Sequence, residues 1–264
     1  MPVPKKAKTP RPPRPVQAPK RRDSKPARAT GLGGLTSRWQ LVSGAAIAIV
    51  LVVVVVLATG GGGSSSINEA AVKKAMTTAG CTYRSVKPFP PKKDPTALKG
   101  GYHEDVPSLS TPTKGLWSTS PPSGGAHYGL WAVWGFYRQP VNPRRVVHNE
   151  EHGGVIIWWG PAVPSATVDK LHRFYLEQPV GVFGTPIAGL GRKIALTAWT
   201  ADPTFKGEPG LAYFKRHYGM GHVAVCPRFD QHAFAVFRDA YRGKSPQGFP
   251  VTADRPGCGP ETNC

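Results

Sequence analysis

Residues 41–59, LVSGAAIAIVLVVVVVLAT, carry no charge, and this run constrains the chain more than any other feature. In a helix it would span roughly 28 Å, about the hydrocarbon thickness of a bilayer. Its valines make a poor helix in water. In lipid the backbone must satisfy its own polar groups, so the helix forms and reads as a transmembrane span. The run is too long for an ordinary core strand. A cleaved signal peptide, with Val56-Leu57-Ala58 as its processing site, is the alternative; a charged leader of some forty residues argues against it.

That leader sets the topology. Residues 1–40 hold eleven Lys or Arg against one acid, Asp23, and so carry ten of the nineteen net positive charges. Rich in proline and almost without aromatics, the segment cannot bury enough apolar surface to offset ordering, and reads as a disordered tail. The span is followed by a neutral Gly/Ser linker at 60–66. The positive-inside rule then places the tail in the cytoplasm and residues 60–264 outside, at the cell membrane. The tail's expected partner is anionic lipid of the inner leaflet. No folded nucleic-acid module accompanies it, so nucleic acid is not expected.

All four cysteines, Cys81, Cys226, Cys258 and Cys264, fall on the outer side, where disulfides persist. Of the three possible pairings, Cys81–Cys226 across the domain and Cys258–Cys264 within the terminal segment 251–264 are expected.

Residues 67–250 read as one α+β domain with a central, mostly antiparallel sheet flanked by helices. A helix of about fourteen residues starts at Ser66, with Ser66 and Glu69 as a capping box and Gly80 as its stop. Residues 84–125 are rich in Pro, Ser and Gly, which suits extended segments wrapped over a core, with Tyr102-His103 entering a short strand. LWAVWGFY (130–137) and VIIWW (155–159) are apolar on both alternating faces, as central strands are, and KIALTAW (193–199) reads as a third strand. Helices are expected at 165–178, with Val168, Leu171 and Tyr175 inward, and at 230–242, capped by Asp230.

The chemistry concentrates in RVVHNEEHGG (145–154). If LWAVWGFY and RRVVH pair as a hairpin across Gln139–Pro143, with Tyr137 opposite Arg144, then Gly129 faces His152. His127 and Tyr128 then reach the sheet end that carries His148, Glu151 and His152. Imidazoles and a carboxylate around one point suit Zn²⁺, Cu²⁺ or Fe²⁺, with copper or zinc the expected ion. Met220 and His222, in GMGH, are weaker candidates that would add a soft ligand for copper. His103, in GYHED, has no spacing that ties it to the others. The competing reading is a hydrogen-bonded polar staple at the end of a packed sheet. HNEEH also matches the H-x-x-E-H pattern of inverted zinc peptidases, but that chemistry needs a helix, and Gly153-Gly154 followed by a strand leaves no room for one. No motif assigns a catalytic residue, so an enzyme stands behind a metal- or ligand-binding protein and a structural or interaction module.

PPSGGAHY, GFYRQPV, VVHNEEHGGVIIWW, LTAW and AFAVFRDAY together resemble the bacterial membrane-anchored family catalogued as domain of unknown function 3105. The resemblance implies a short tail, one span and an extracytoplasmic domain, and implies no established activity. His127 and Tyr128 occupy one of its motifs, with Gly125 where a proline is expected; His148, Glu151 and His152 occupy another.

Overall fold

The computed structural model describes residues 67–92, 101–202, 204–207, 210–249 and 254–262. The tail, the apolar run 41–59, the linker and Cys264 lie outside the described residues, so the span and the Cys258–Cys264 pairing do too. Among the described residues no helix is long and apolar enough to cross a membrane.

In chain order the elements are α1 (Glu69–Thr78), β1 (Thr82–Val86), a 3₁₀ turn (Gly101–His103), α2 (Pro143–Glu151), β2 (Val155–Trp159), α3 (Ser165–Glu177), β3 (Val182–Pro186), β4 (Ile194–Thr200), α4 (Leu211–His217), β5 (Met220–Cys226) and α5 (Gln231–Tyr241). The sheet runs β1-β5-β4-β2-β3. Its first three pairings are antiparallel and β2–β3 is parallel. The expected α+β domain, with helices around a central sheet, is therefore present.

VIIWW is central as its composition demands. Val155, Ile157 and Trp159 join the core beneath α1, α3 and α5, while Ile156 and Trp158 join a second cluster on the opposite face. Helices α3 and α5 fall where their apolar stripes place them, and the Asp230 carboxylate accepts from the Ala233 amide at 2.9 Å. Cys81 is bonded to Cys226, tying the start of edge strand β1 to the end of β5 across 145 residues.

Four expectations fail. The α1 cap is Asn68, whose side chain accepts from Ala71; Glu69 instead turns to Tyr83 and Ser85 on β1. Tyr102-His103 forms the 3₁₀ turn rather than a strand. LWAVWGFY is not a strand: it crosses the second face of the sheet as an extended cover and touches it through one bridge, Phe136 to Gly184. Apart from the two bonds of that bridge, its backbone is satisfied from outside any ladder. Asn149 bonds both the Ala132 amide and the Ala132 carbonyl at 2.9 Å, and Trp134 donates to the Cys258 carbonyl. Finally, RRVVHNEE is helix α2, so the hairpin does not form.

The signals for α2 sit at its two ends. Asn142 caps Arg144 and Pro143 occupies the first turn, where a missing N–H costs nothing. At the other end the Gly154 amide reaches the Asn149 carbonyl and the Gly153 amide reaches that of Glu150, with Gly153 at φ 90°. That pair of bonds is a glycine-terminated helix stop. Asn-Pro, read from sequence as part of a turn, and Gly-Gly, read as leaving no room for a helix, are the start and stop of a helix nine residues long.

Candidate metal centre

Helix α2 is buried from Val146 to Glu151, and each residue has its own destination. Val146 enters the cluster around Trp134 and Trp158, and Val147 packs with Trp199 and Tyr102. Glu150 points at β4, where it accepts from the Thr197 hydroxyl, and its pKa lies well above the usual carboxylate range because burial disfavours the charge. His148 and Glu151, three apart, share one face.

Two further segments meet that face. Gly124, at φ 120°, lies so close over the Trp199 indole that a Cβ there would sit 2.7 Å from it. This close crossing carries the chain to His127, which has no exposed surface. The Tyr102 carbonyl accepts from the His127 amide, which sets the 3₁₀ turn bearing His103 beside it. The Nε2 atoms of His127, His103 and His148 then lie 3.2, 3.6 and 3.7 Å from one atom, Glu151 Oε2. The four donor atoms fall within 4.8 Å of one another.

The remaining atoms are tied down. His127 Nδ1 lies 2.7 Å from the Gly125 carbonyl, and His148 Nδ1 lies 2.9 Å from that of Tyr128. A carbonyl only accepts, so both rings carry a proton on Nδ1, which leaves each Nε2 free to face the site. Burial pushes the His148 pKa down to about 3 and keeps that ring neutral. On Glu151, burial acts to raise the pKa, but the imidazoles of His127, His103 and His148 overcome it and hold the carboxyl well below its ordinary range. Its other oxygen accepts from Gln247 at 2.6 Å. An anionic oxygen thus faces three imidazole nitrogens that must hold a proton or another cation between them and it, and the Nε2 atoms of His103 and His127 are buried without a hydrogen-bond partner. Such a group repels itself unless a cation lies among its members.

The donor set fits a transition ion. Zinc bound tetrahedrally at about 2.0–2.1 Å needs ligand atoms roughly 3.3 Å apart, close to the three carboxylate–imidazole distances; the wider separations in the set, up to 4.8 Å, would have to close around the ion. Carbonyl-anchored imidazoles are also the usual support of ligating histidines, since the second nitrogen fixes tautomer and ring direction.

His127, His148 and Glu151 thus converge as expected, though by a helix rather than a hairpin. His103 is the donor that the sequence left untied. His152 departs from the expected set: it follows the last turn of α2, and its Nδ1 faces Asp254 at 3.7 Å. Its ring lies against Trp131 and Phe249. Met220 and His222 are on the wrong face of the sheet. His222 pairs with Ala198 and Met220 with Thr200, whereas the intervening Trp199 points the other way, toward His127. The helix needed for the H-x-x-E-H peptidase arrangement does exist. Its roles do not, because Glu151 stands among the donors and the second histidine does not.

The family described as a protein of unknown function (DUF3105) matches residues 111–248, just over half of the chain. The chain belongs to this family. His127, His148 and Glu151 lie inside the DUF3105 match and His103 lies outside it. No curated protein and no solved structure matches the chain.

Proposed function

We propose that this DUF3105 protein is a single-pass, membrane-anchored, extracytoplasmic protein that holds one divalent transition ion, Zn²⁺ or Cu²⁺, on His103, His127, His148 and Glu151. One observation carries the reading: three imidazole Nε2 atoms approach a single carboxylate oxygen, while carbonyls occupy the protons of two of the rings. An ion satisfies all four donors together. The set contains nitrogen and oxygen only, which favours Zn²⁺ or Cu²⁺ over Cu⁺ with its preference for sulfur. The outward placement rests on the basic tail before the apolar run, and the Cys81–Cys226 disulfide agrees with an oxidising compartment.

The test uses the full chain purified in detergent. Metal analysis is expected to find about one equivalent of bound ion, and chelation to lower the melting temperature until Zn²⁺ or Cu²⁺ is restored. A chain that carries no metal, and whose melting ignores both ions and chelator, is a polar staple instead.

A further inference from the structure

The four donors are not held alike. His127 and His148 are buried, and each is fixed through Nδ1 by a backbone carbonyl. Glu151 is buried and gripped from behind, Gln247 on its free oxygen and Ser245 on its carbonyl. The His103 side chain keeps 37% of its surface exposed and rests flat on the His148 ring, centroids 5.0 Å apart. Neither of its ring nitrogens makes a hydrogen bond among the described residues; only Nε2 is directed at the site, toward Glu151. It stands on a three-residue 3₁₀ turn, whereas His148 and Glu151 project from a capped helix.

We infer that His103 is a detachable ligand: it closes the metal centre at rest and swings aside to surrender its coordination position to a small external donor. This rests on the metal-binding reading above. The physical reason is the missing support. A ligating imidazole whose second nitrogen is bonded has its ring direction fixed before the metal arrives, and losing such support typically costs about 10–100-fold in metal affinity. His127 and His148 have that support, and among the described residues His103 has none. Its exposed edge also marks the side from which solvent reaches the ion, because the other three donors are walled in by Trp199, Tyr102 and helix α2. With His103 displaced, two imidazoles and a carboxylate remain, and the freed position faces solvent. Three protein ligands with one open position is the arrangement from which a bound ion polarises water or an incoming group, or passes to another carrier. The external donors that fit are small and neutral or anionic, such as imidazole, azide or water, since the opening is one side chain wide.

Imidazole itself is the probe. Zn²⁺ affinity is measured by chelator competition for the wild-type chain, His103→Ala and His127→Ala, with melting curves to show that each variant is folded. His103→Ala is expected to lose only about tenfold, comparable with loss of a supporting contact, and to recover on adding millimolar imidazole. His127→Ala is expected to lose much more and not to recover, because its place is sealed. A second measurement needs no variant: in wild-type chain loaded with Co²⁺, azide or imidazole should change the visible spectrum as it replaces His103. Equal losses in the two variants with no recovery, together with a Co²⁺ spectrum indifferent to both additives, overturn the inference while leaving metal binding intact. A wild-type chain that binds neither Zn²⁺ nor Co²⁺ overturns both readings.

Discussion

Two buried histidine networks lie on opposite faces of the same sheet, and they differ in how their polar atoms balance. On the α1/α5 face, both nitrogens of His222 are matched by hydroxyls: Thr200 at 2.8 Å on Nε2, Ser85 at 3.0 Å and Tyr83 at 3.3 Å on Nδ1. A hydroxyl can donate or accept, so that network closes by rotating its O–H groups. On the α2 face, the partners of His127 and His148 are carbonyls and a carboxylate, which only accept. That network is short of donors, which is the lack that the proposed ion would make good. Ionisation behaviour does not separate the two, since burial pushes His148 and His222 alike to about 3. The chemistry of the partners does.

The sharpest way to break this contrast is Glu151→Gln. Gln keeps the shape of the side chain and replaces an acceptor by an NH₂ donor. On the ion-binding reading, Zn²⁺ affinity falls by more than about 100-fold, beyond the usual loss of a supporting contact. The metal-free protein should melt no lower than wild type, because the new donor meets the imidazole lone pairs. Unchanged metal content would falsify the distinction between the two networks.

Cutting the disulfide with Cys226→Ser has the next largest effect. For a loop closed across 145 residues, unfolded-state entropy gives a loss of roughly 2–5 kcal/mol, read from chemical denaturation. The bond pins β1, which carries Tyr83 and Ser85 of the satisfied network, and none of the four proposed ligands lies on β1 or β5. Bound metal should therefore persist in the folded fraction. Metal lost along with the disulfide means that the two faces are not independent.

His222→Ala is smaller. It leaves a cavity and unpaired hydroxyls, costing roughly 2–4 kcal/mol with no change in metal content. It also removes a pH dependence. The folded pKa of His222 lies below its ordinary value, so its stabilisation is fully present above about pH 6.5 and is lost as pH falls toward 3. Between pH 7 and pH 5 this amounts to on the order of 2 kcal/mol. Denaturation of the metal-free protein at the two pH values should show a smaller difference in the variant, which keeps the similar share of His148, than in wild type. An unaltered pH slope sinks the assignment.

The elements that were legible in the sequence are those whose pattern is local. VIIWW, apolar on both faces, could only be a covered strand, and the stripes of α3 and α5 repeat at helical spacing over three turns or more. Helix α2 was missed because it is short, β-branched at Val146 and Val147, and otherwise polar, so no apolar stripe marks its period even though Val146 to Glu151 are buried. Its ends did carry the information, in Asn142-Pro143 and Gly153-Gly154. LWAVWGFY was misread because a strand buried inside a sheet and a segment laid across a sheet expose the same apolar residues; only hydrogen-bond partners distinguish them.

The site divides in the same way. Periodicity and charge were enough to give a basic leader, an apolar run and the elements of an α+β fold, because each depends on composition or spacing within a stretch of chain; the expected Cys81–Cys226 link, one of three possible pairings, needed the structure to join residues 145 apart. Membership of the donor group was decided by the tertiary structure alone. His103 enters because its turn is held by the His127 amide, His152 leaves because the helix ends beneath it, and His222 is excluded because strand alternation turns it to the other face. Residue types name the possible ligands; the packing of three distant segments chooses which nitrogens meet one oxygen.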